Sequence, residues 1–139
     1  MFTSADEFVS LLGSEDAGER ERYRSDELPV DVCLEIINRY PEYRDAVVSN
    51  KTVPIEILVL LSDDPDPWIR SHVASKRKLT SELFERLARD EDSSVRARIA
   101  CNAKVPLEVL EMLTHDECWI VSEPACERFK RRTDSATHP

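Results

Sequence analysis

Arginine and aspartate recur at a fixed interval of 26 residues in this chain of 139 residues. If the intervals reflect stacked copies of one structural unit, the side chains form two parallel rows of opposite charge. Charge-assisted hydrogen bonds that join the two rows are the interpretation we favour, on the strength of the family resemblance given below. An arginine row that binds an anionic ligand is the alternative. The members of the two rows are Arg44, Arg70 and Arg96, and Asp64, Asp90 and Asp116.

A second group of side chains is suited to contacts with another protein. Tryptophan and arginine are the residue types most enriched at interface hot spots. Once Ile69 and Val73 are assigned to the core, helical periodicity leaves the tryptophans and several polar residues on the outside. Packing over the adjacent turn is the interpretation we favour for Trp68, and it stays open for Trp119. The predicted binding residues are Trp68, His72, Lys76, Arg98, Asn102, Trp119 and Glu123.

No residue pattern typical of catalysis or metal binding is present in the sequence. The three histidines lack a second ligand four residues away, and the four cysteines form no Cys-x-x-Cys pair. No Gly-x-Ser-x-Gly nucleophile motif occurs. We therefore predict no catalytic residue, no metal and no cofactor, so that the protein is not an enzyme. Cys118, in a variable turn, is the one thiol expected to react if it is exposed.

Composition narrows the classes of partner and fold. The 19 basic and 28 acidic residues give a net charge of −9, which opposes binding that depends on neutralising phosphates. Only two glycines are present, Gly13 and Gly18, which argues against a sandwich or barrel with many tight turns. No secretory signal or membrane span is evident, and we expect a cytoplasmic protein.

Apolar residues recur at the same interval and at helical spacing within each copy. Leu58, Phe84 and Leu110 occupy one slot, and a polar turn separates each such segment from the next. Asn50 and Asn102 end their copies, where we expect left-handed helix caps. The pattern predicts an all-α fold, a short right-handed α-solenoid of about four helical hairpins with an N-terminal capping helix. The predicted helix pairs cover residues 29–50, 53–76, 79–102 and 105–128.

The flanks of the repeats differ from the repeats themselves. Residues 1–28 hold a capping-box signature at Ser4–Glu7 and then a charged segment, 14–27, that is either a helix or a linker. Residues 29–129 form the repeat domain. Pro124 should kink its helix or delay its start. Residues 130–139 are polar and lack periodicity, so we expect a disordered tail.

The segment from Leu87 to Arg96, with its Leu-x-x-Asp and Val-Arg pattern, resembles HEAT-like repeats and more closely the bacterial variant leucine-rich repeats. The resemblance implies that the second helices line a concave face and that the Asp and Arg rows bond between copies. Some proteins of the variant family carry an N-terminal cysteine cluster for an iron–sulfur centre. The first 32 residues here contain no cysteine, so that cofactor is not expected.

These observations favour a non-catalytic protein–protein interaction module that binds a protein or peptide on the concave face. A basic partner would suit the acidic chain, as for an adaptor or an immunity-type protein, and we expect a monomer or weak dimer. The alternative is a HEAT-like enzyme that excises bases from nucleic acid. It would need one catalytic carboxylate and an aromatic residue such as Trp119, and its DNA-facing arginines would be Arg44, Arg70, Arg96 and Arg98. A lyase-like or regulatory role on a tetrapyrrole protein rests on fold analogy alone.

Overall fold

The structure, a computed structural model, describes the backbone of residues 1–137 and the side chains of residues 1–134. The described chain is all-helical, with ten α-helices, one short 3-10 helix (Pro41–Tyr43) and no strand. The predicted all-α class is therefore confirmed. The α-helices are α1 (Ala5–Leu11), α2 (Ala17–Ser25), α3 (Val30–Arg39), α4 (Arg44–Ser49), α5 (Ile55–Leu61), α6 (Pro67–Ala74), α7 (Ser81–Leu87), α8 (Ser93–Ala100), α9 (Leu107–Leu113) and α10 (Trp119–Thr137).

Helix starts from α5 onward follow the interval of the apolar pattern. The first helices of successive pairs begin at Ile55, Ser81 and Leu107. The second helices begin at Pro67, Ser93 and Trp119. In this part of the chain, helix starts therefore recur at the same interval as the apolar residues.

The chain divides into two compact units, the first of which is Met1–Leu61. Half of the predicted capping box is present, since the Ser4 hydroxyl accepts a hydrogen bond from the Glu7 backbone N–H at 3.1 Å. The Glu7 carboxylate accepts from the Thr3 N–H, at 3.3 Å, where a full capping box would use the Ser4 N–H. Of the two alternatives for residues 14–27, the structure shows a helix, α2, capped by Asp16. The buried rings of Phe2 and Phe8 pack edge to face at 5.1 Å, so the N-terminal segment belongs to the core of this unit.

The second unit is Ser62–Pro139, and three of its helices form a layer. Helix α8 lies between α6 and α10 and packs against both. Val73 of α6, Ile99 of α8 and Val121 of α10 are buried, as are Phe84 and Leu110 on the helices behind the layer. This arrangement leaves one face of α6, α8 and α10 exposed, and we call it the second-helix face.

The turns of this unit are closed by aspartate side chains rather than by glycine. In each turn, an Oδ1 atom accepts a hydrogen bond at 2.9 Å from the backbone N–H two residues later. The aspartates are Asp64, Asp90 and Asp116. Next along the chain, Asp66 and Asp92 cap the N-termini of α6 and α8. Short aspartate side chains commonly supply hydrogen bonds in this way where the chain reverses.

The predicted left-handed caps at Asn50 and Asn102 are wrong. No described residue other than glycine has a positive φ, and Asn50 is extended with φ −64° and ψ 133°. The amide side chains have another use, given in the next subsection. Gly13, at φ 85°, is where the chain adopts the left-handed region.

The last helix also differs from expectation. Helix α10 begins at Trp119 and passes through Pro124, so the proline does not delay its start. It continues through Thr137, whereas we expected residues 130–139 to be disordered. The Arg132 guanidinium donates to the Val105 carbonyl oxygen at 2.6 Å, and Arg131 pairs with Glu127 one turn earlier. These contacts explain why a polar segment is helical. Residues 138 and 139 lie outside the described residues.

Candidate functional site

Two arginines of the predicted row lie in nearly buried ion pairs. The Arg70 guanidinium donates from Nε and Nη2 to both carboxylate oxygens of Asp90, at 2.8 and 3.1 Å. Its third nitrogen, Nη1, donates to the Asp64 carbonyl at 2.8 Å. Arg96 bonds Asp116 in the same geometry, at 2.8 and 3.2 Å. Both guanidinium groups are thus occupied by the protein itself.

Each of these carboxylates also has a second partner. Asp90 Oδ1, which receives Arg70 Nη2, is the atom that closes the turn before α8. Asp116 serves the turn before α10 in the same way. Burial is the largest influence on Asp116 and opposes its ionisation, but the hydrogen bonds from Arg96 and the Cys118 N–H and the charge of Arg96 together outweigh burial and lower the pKa of this carboxyl. Each of these two carboxylates therefore both closes a turn and holds the preceding arginine of the row.

The remaining members of the rows, Arg44 and Asp64, belong to different units. Arg44, in the first unit, donates from Nη1 to the Pro41 carbonyl oxygen at 3.2 Å. Asp64, in the second unit, is buried and closes the turn before α6. Its carbonyl oxygen accepts from Arg70.

The asparagines at the copy ends make contacts that the sequence analysis missed. The Asn102 side-chain amide donates to the carbonyl oxygens of Ala74 and Lys76, both at 2.8 Å. Its Oδ1 accepts from the Lys104 backbone N–H at 2.9 Å. Asn50 repeats this pattern in the first unit, with Tyr23 O and Asp26 O as acceptors. In the sequence, only the recurrence of asparagine at these positions points to such contacts, and it fits a left-handed helix cap equally well.

Both tryptophans lie on the second-helix face and are largely open to solvent. Trp68, near the start of α6, is 59% exposed and contacts the His72 ring edge to face at 5.0 Å. Trp119, at the start of α10, is 71% exposed. Neither ring is covered by an adjacent turn to the extent that a packing role would require. Ile120, also exposed, aligns with Trp68 at the repeat interval and was not among the predicted residues.

The other predicted binding residues are divided between surface and interior. Arg98 and Glu123 are exposed, and His72 and Lys76 are half-buried. Asn102 is only 5% exposed and its side chain is fully used by the backbone, so it is not available to a ligand. The structure therefore brings Trp68, His72 and Arg98 to the second-helix face together with Trp119 and Glu123.

Two titratable groups have strongly shifted pKa values. Burial, followed by the nearby Lys78 charge, lowers the pKa of Lys76 to about 8. Burial, assisted by Asp31, raises the pKa of the Cys33 thiol to about 12, so this thiol stays protonated at neutral pH. Cys101 and Cys126 are exposed, whereas Cys118 is half-buried.

Among the described residues, no three His, Cys, Asp or Glu side chains come together as a metal site would require. Within the same residues, no helix is both long and apolar enough to cross a membrane. Compared with known proteins, the chain matches no family model, no curated protein and no solved structure.

Proposed function

We propose that the protein is a non-catalytic interaction module that binds a protein or peptide on the second-helix face. The observation that carries this proposal is the exposure of two tryptophans on one helical layer whose other side is buried core. Exposed apolar side chains that share one surface mark interaction sites, and tryptophan is enriched at interface hot spots. Helices that are already packed together would lose little conformational freedom on binding.

The proposed architecture is that of a HEAT-like or variant leucine-rich repeat protein, with about four hairpins in a right-handed α-solenoid and the second-helix face on the concave side. Recurring helix starts support this proposal. So do the contacts that join one predicted copy to the next, such as Arg70 with Asp90 and Asn102 with Ala74. These are the contacts expected where repeats bond mainly to their neighbours.

A basic partner is the expected one for the acidic turns. Asp63 and Glu91 are exposed beside a cavity of about 530 Å³ that is also lined by Pro65 and Arg86. With a net charge of −9, the protein would attract a basic protein over distances comparable to the Debye length. An adaptor or immunity-type role in the cytoplasm, as a monomer or weak dimer, fits these properties.

The base-excision alternative is less well supported by the same geometry. It requires the arginine row to face DNA. The side chains of Arg70 and Arg96 are nearly buried and are paired with Asp90 and Asp116. This hypothesis needs three arginines of the second unit. Of these, only Arg98 is exposed on the second-helix face.

Affinity capture from the lysate of the native host tests the proposal. The double variant Trp68→Ala/Trp119→Ala removes both exposed rings, and Leu34→Ala/Leu60→Ala removes two exposed apolar side chains of the first unit as a matched control. We expect a stoichiometric protein partner that is retained by the wild type and the control and lost by the tryptophan variant. Retention of that partner by the tryptophan variant, with circular dichroism showing native helix, would contradict the proposal.

A further inference from the structure

Exposed cationic side chains converge where α6 and α8 end. Arg77 and Lys78 follow α6, Arg98 lies in the last turn of α8, and Lys104 follows α8. All four side chains are exposed. We call Arg77, Lys78, Arg98 and Lys104 the basic edge.

Hydrogen bonds hold the two loops of the basic edge against each other. The buried Asn102 amide donates to the carbonyl oxygens of Ala74 and Lys76, which joins the loop after α8 to the loop after α6. From α10, the Arg128 guanidinium donates to the Cys101 carbonyl at 2.7 Å. The positions from which the cationic side chains extend are therefore fixed before any ligand arrives.

A shallow cavity of about 240 Å³ opens between these loops. Its lining residues are Ser75, Arg77, Arg98, Cys101, Asn102 and Ala103. Two arginines thus flank a concave site that contains no acidic side chain. Because guanidinium groups bind carboxylates through paired hydrogen bonds, the site has the right donors for an anionic group.

The basic edge differs from the arginines that contact the turns of the same unit in having no counter-charge. Arg70, Arg86 and Arg96 each pair with an aspartate, whereas none of the four basic-edge residues forms an ion pair with a side chain that the structure describes. Like charges held close together without acids create a positive potential. Burial is the main cause of the lowered pKa of neighbouring Lys76, and the charge of Lys78 lowers it further.

Stabilisation of helix ends does not account for this cluster. A cation in the last turn interacts favourably with the helix dipole, which explains Arg98. Arg77 and Lys78 lie beyond the end of α6, and Lys104 beyond the end of α8. Arg77 lines one cavity together with Arg98, which is what a binding site would require.

We propose that the basic edge binds a carboxylate-rich segment of a partner polypeptide. The inference deepens the proposed function and rests on it for the protein nature of the partner. In the complex, Arg77 and Arg98 would contact carboxylates at the cavity, and Lys78 and Lys104 would add attraction at its margins. The partner would therefore have basic residues that contact the acidic turns and a separate acidic segment that contacts the basic edge.

The surroundings of the basic edge favour a short acidic peptide segment over a nucleic acid. Asp66 and Asp92 stand at the opposite ends of α6 and α8, helices of eight residues that are each about 12 Å long. On neighbouring α10, Glu123 and Glu127 are exposed. A long phosphate backbone would run from the cations into these acids. A few carboxylates would meet the cations alone.

Fluorescence anisotropy with a labelled oligoglutamate peptide at low ionic strength tests the proposal on the full chain. The variant Arg77→Glu/Arg98→Glu reverses the charges at the cavity. The control Arg20→Glu/Arg89→Glu makes the same change in net charge at two exposed arginines elsewhere. Circular dichroism shows whether each variant is folded, and Arg77→Gln/Arg98→Gln takes the place of the charge reversal if that variant is not.

We expect the wild type to bind the peptide, the control to bind it within about threefold of the wild type, and the cavity variant to bind it at least about tenfold more weakly. The proposal is overturned if the wild type does not bind, or if the cavity variant and the control weaken equally, since net charge alone would then explain binding. Tighter binding of a thymidine oligonucleotide of equal formal charge would also overturn it. Because no tryptophan variant enters this titration, its failure leaves the test of the second-helix face unaffected.

Discussion

At the scale of single residues, the pair formed by Arg70 and Asp90 offers a direct test of stability. Both side chains are about one-tenth exposed. Replacing Arg70 with alanine would leave a nearly buried carboxylate without its cation, which typically destabilises a protein by roughly 2–4 kcal/mol. Urea unfolding followed by circular dichroism should show this loss for Arg70→Ala and a change within about 0.5 kcal/mol for the exposed control Arg89→Ala. Equal effects would mean that the pair contributes nothing specific.

The Asn102 side chain leads to a second prediction at this scale. Asn102→Asp keeps the oxygen that accepts from the Lys104 N–H but replaces the amide donor with an acceptor that faces two carbonyl oxygens. We expect a loss of roughly 2–3 kcal/mol in the free energy of unfolding. Asn38→Asp, on the exposed side of α3, provides the control. A neutral Asn102→Asp in thermal and urea unfolding would show that these bonds add little.

Lys76 should make stability depend on pH under mildly alkaline conditions. Its folded pKa of about 8 lies below the usual lysine value of 10.5, so the unfolded chain binds more protons between these two pH values. The free energy of unfolding therefore rises as pH increases through this window, by roughly 1–2 kcal/mol after allowance for solvent screening. Unfolding profiles of the wild type and Lys76→Met, compared from pH 7 to pH 10, should converge as pH rises. Parallel profiles would refute the assignment.

Asn102 also illustrates which parts of the candidate site can be predicted from sequence. Trp68, Trp119 and Arg98 could be placed on the surface because helical periodicity is local. The burial of Asn102 could not, because the carbonyls that its amide contacts belong to a loop 26 to 28 residues earlier. The basic edge was missed for the same reason, since Arg77 and Arg98 come together through that loop contact.

At the scale of elements, α10 allows the effect of a proline inside a helix to be measured. Pro124 is the sixth residue of α10 and has no N–H to donate to the preceding turn. We expect Pro124→Ala to stabilise the protein by roughly 1–3 kcal/mol. Pro67→Ala is the matched control, because Pro67 is the first residue of α6, where an N–H has no intrahelical partner, and we expect little change. Thermal unfolding of both variants separates the two positions, and a destabilised Pro124→Ala would show that the missing bond is not the dominant effect.

The same helix marks where prediction of elements fails. Helices α5 to α9 could be predicted because apolar spacing and capping residues are encoded within each segment. The continuation of α10 beyond Phe129 could not, because residues 130–137 lack an apolar stripe and Arg132 finds its acceptor, Val105 O, 27 residues earlier. Charged side chains that bond to backbone carbonyls leave no periodic pattern in the sequence.

At the scale of the whole molecule, carboxyl groups whose pKa is lowered in the folded protein predict a loss of stability in acid. Hydrogen bonds lower the pKa values of Asp6, Glu7, Glu21 and Asp92. For Asp116, burial raises the pKa, but the hydrogen bonds from Arg96 and the Cys118 N–H and the Arg96 charge together outweigh burial and lower it. A lowered folded pKa contributes stability that is present above the unfolded value, near pH 4, and lost as pH falls through the folded value. We expect the urea midpoint to fall steadily below pH 4, with a shallower fall in Asp116→Asn than in the exposed control Glu56→Gln. Identical slopes would argue against Asp116.

The scarcity of glycine, visible in turns that aspartate side chains close, affects the unfolded chain as well as the folded one. From residue 19 onward the sequence contains no glycine, and eight prolines are distributed along the chain. In the unfolded chain, glycine can adopt backbone conformations that other residues rarely adopt, and proline restricts the backbone to fewer conformations. The denatured ensemble is therefore narrower than that of a typical chain of equal length. Part of the stability of this protein thus comes from a smaller loss of backbone entropy on folding.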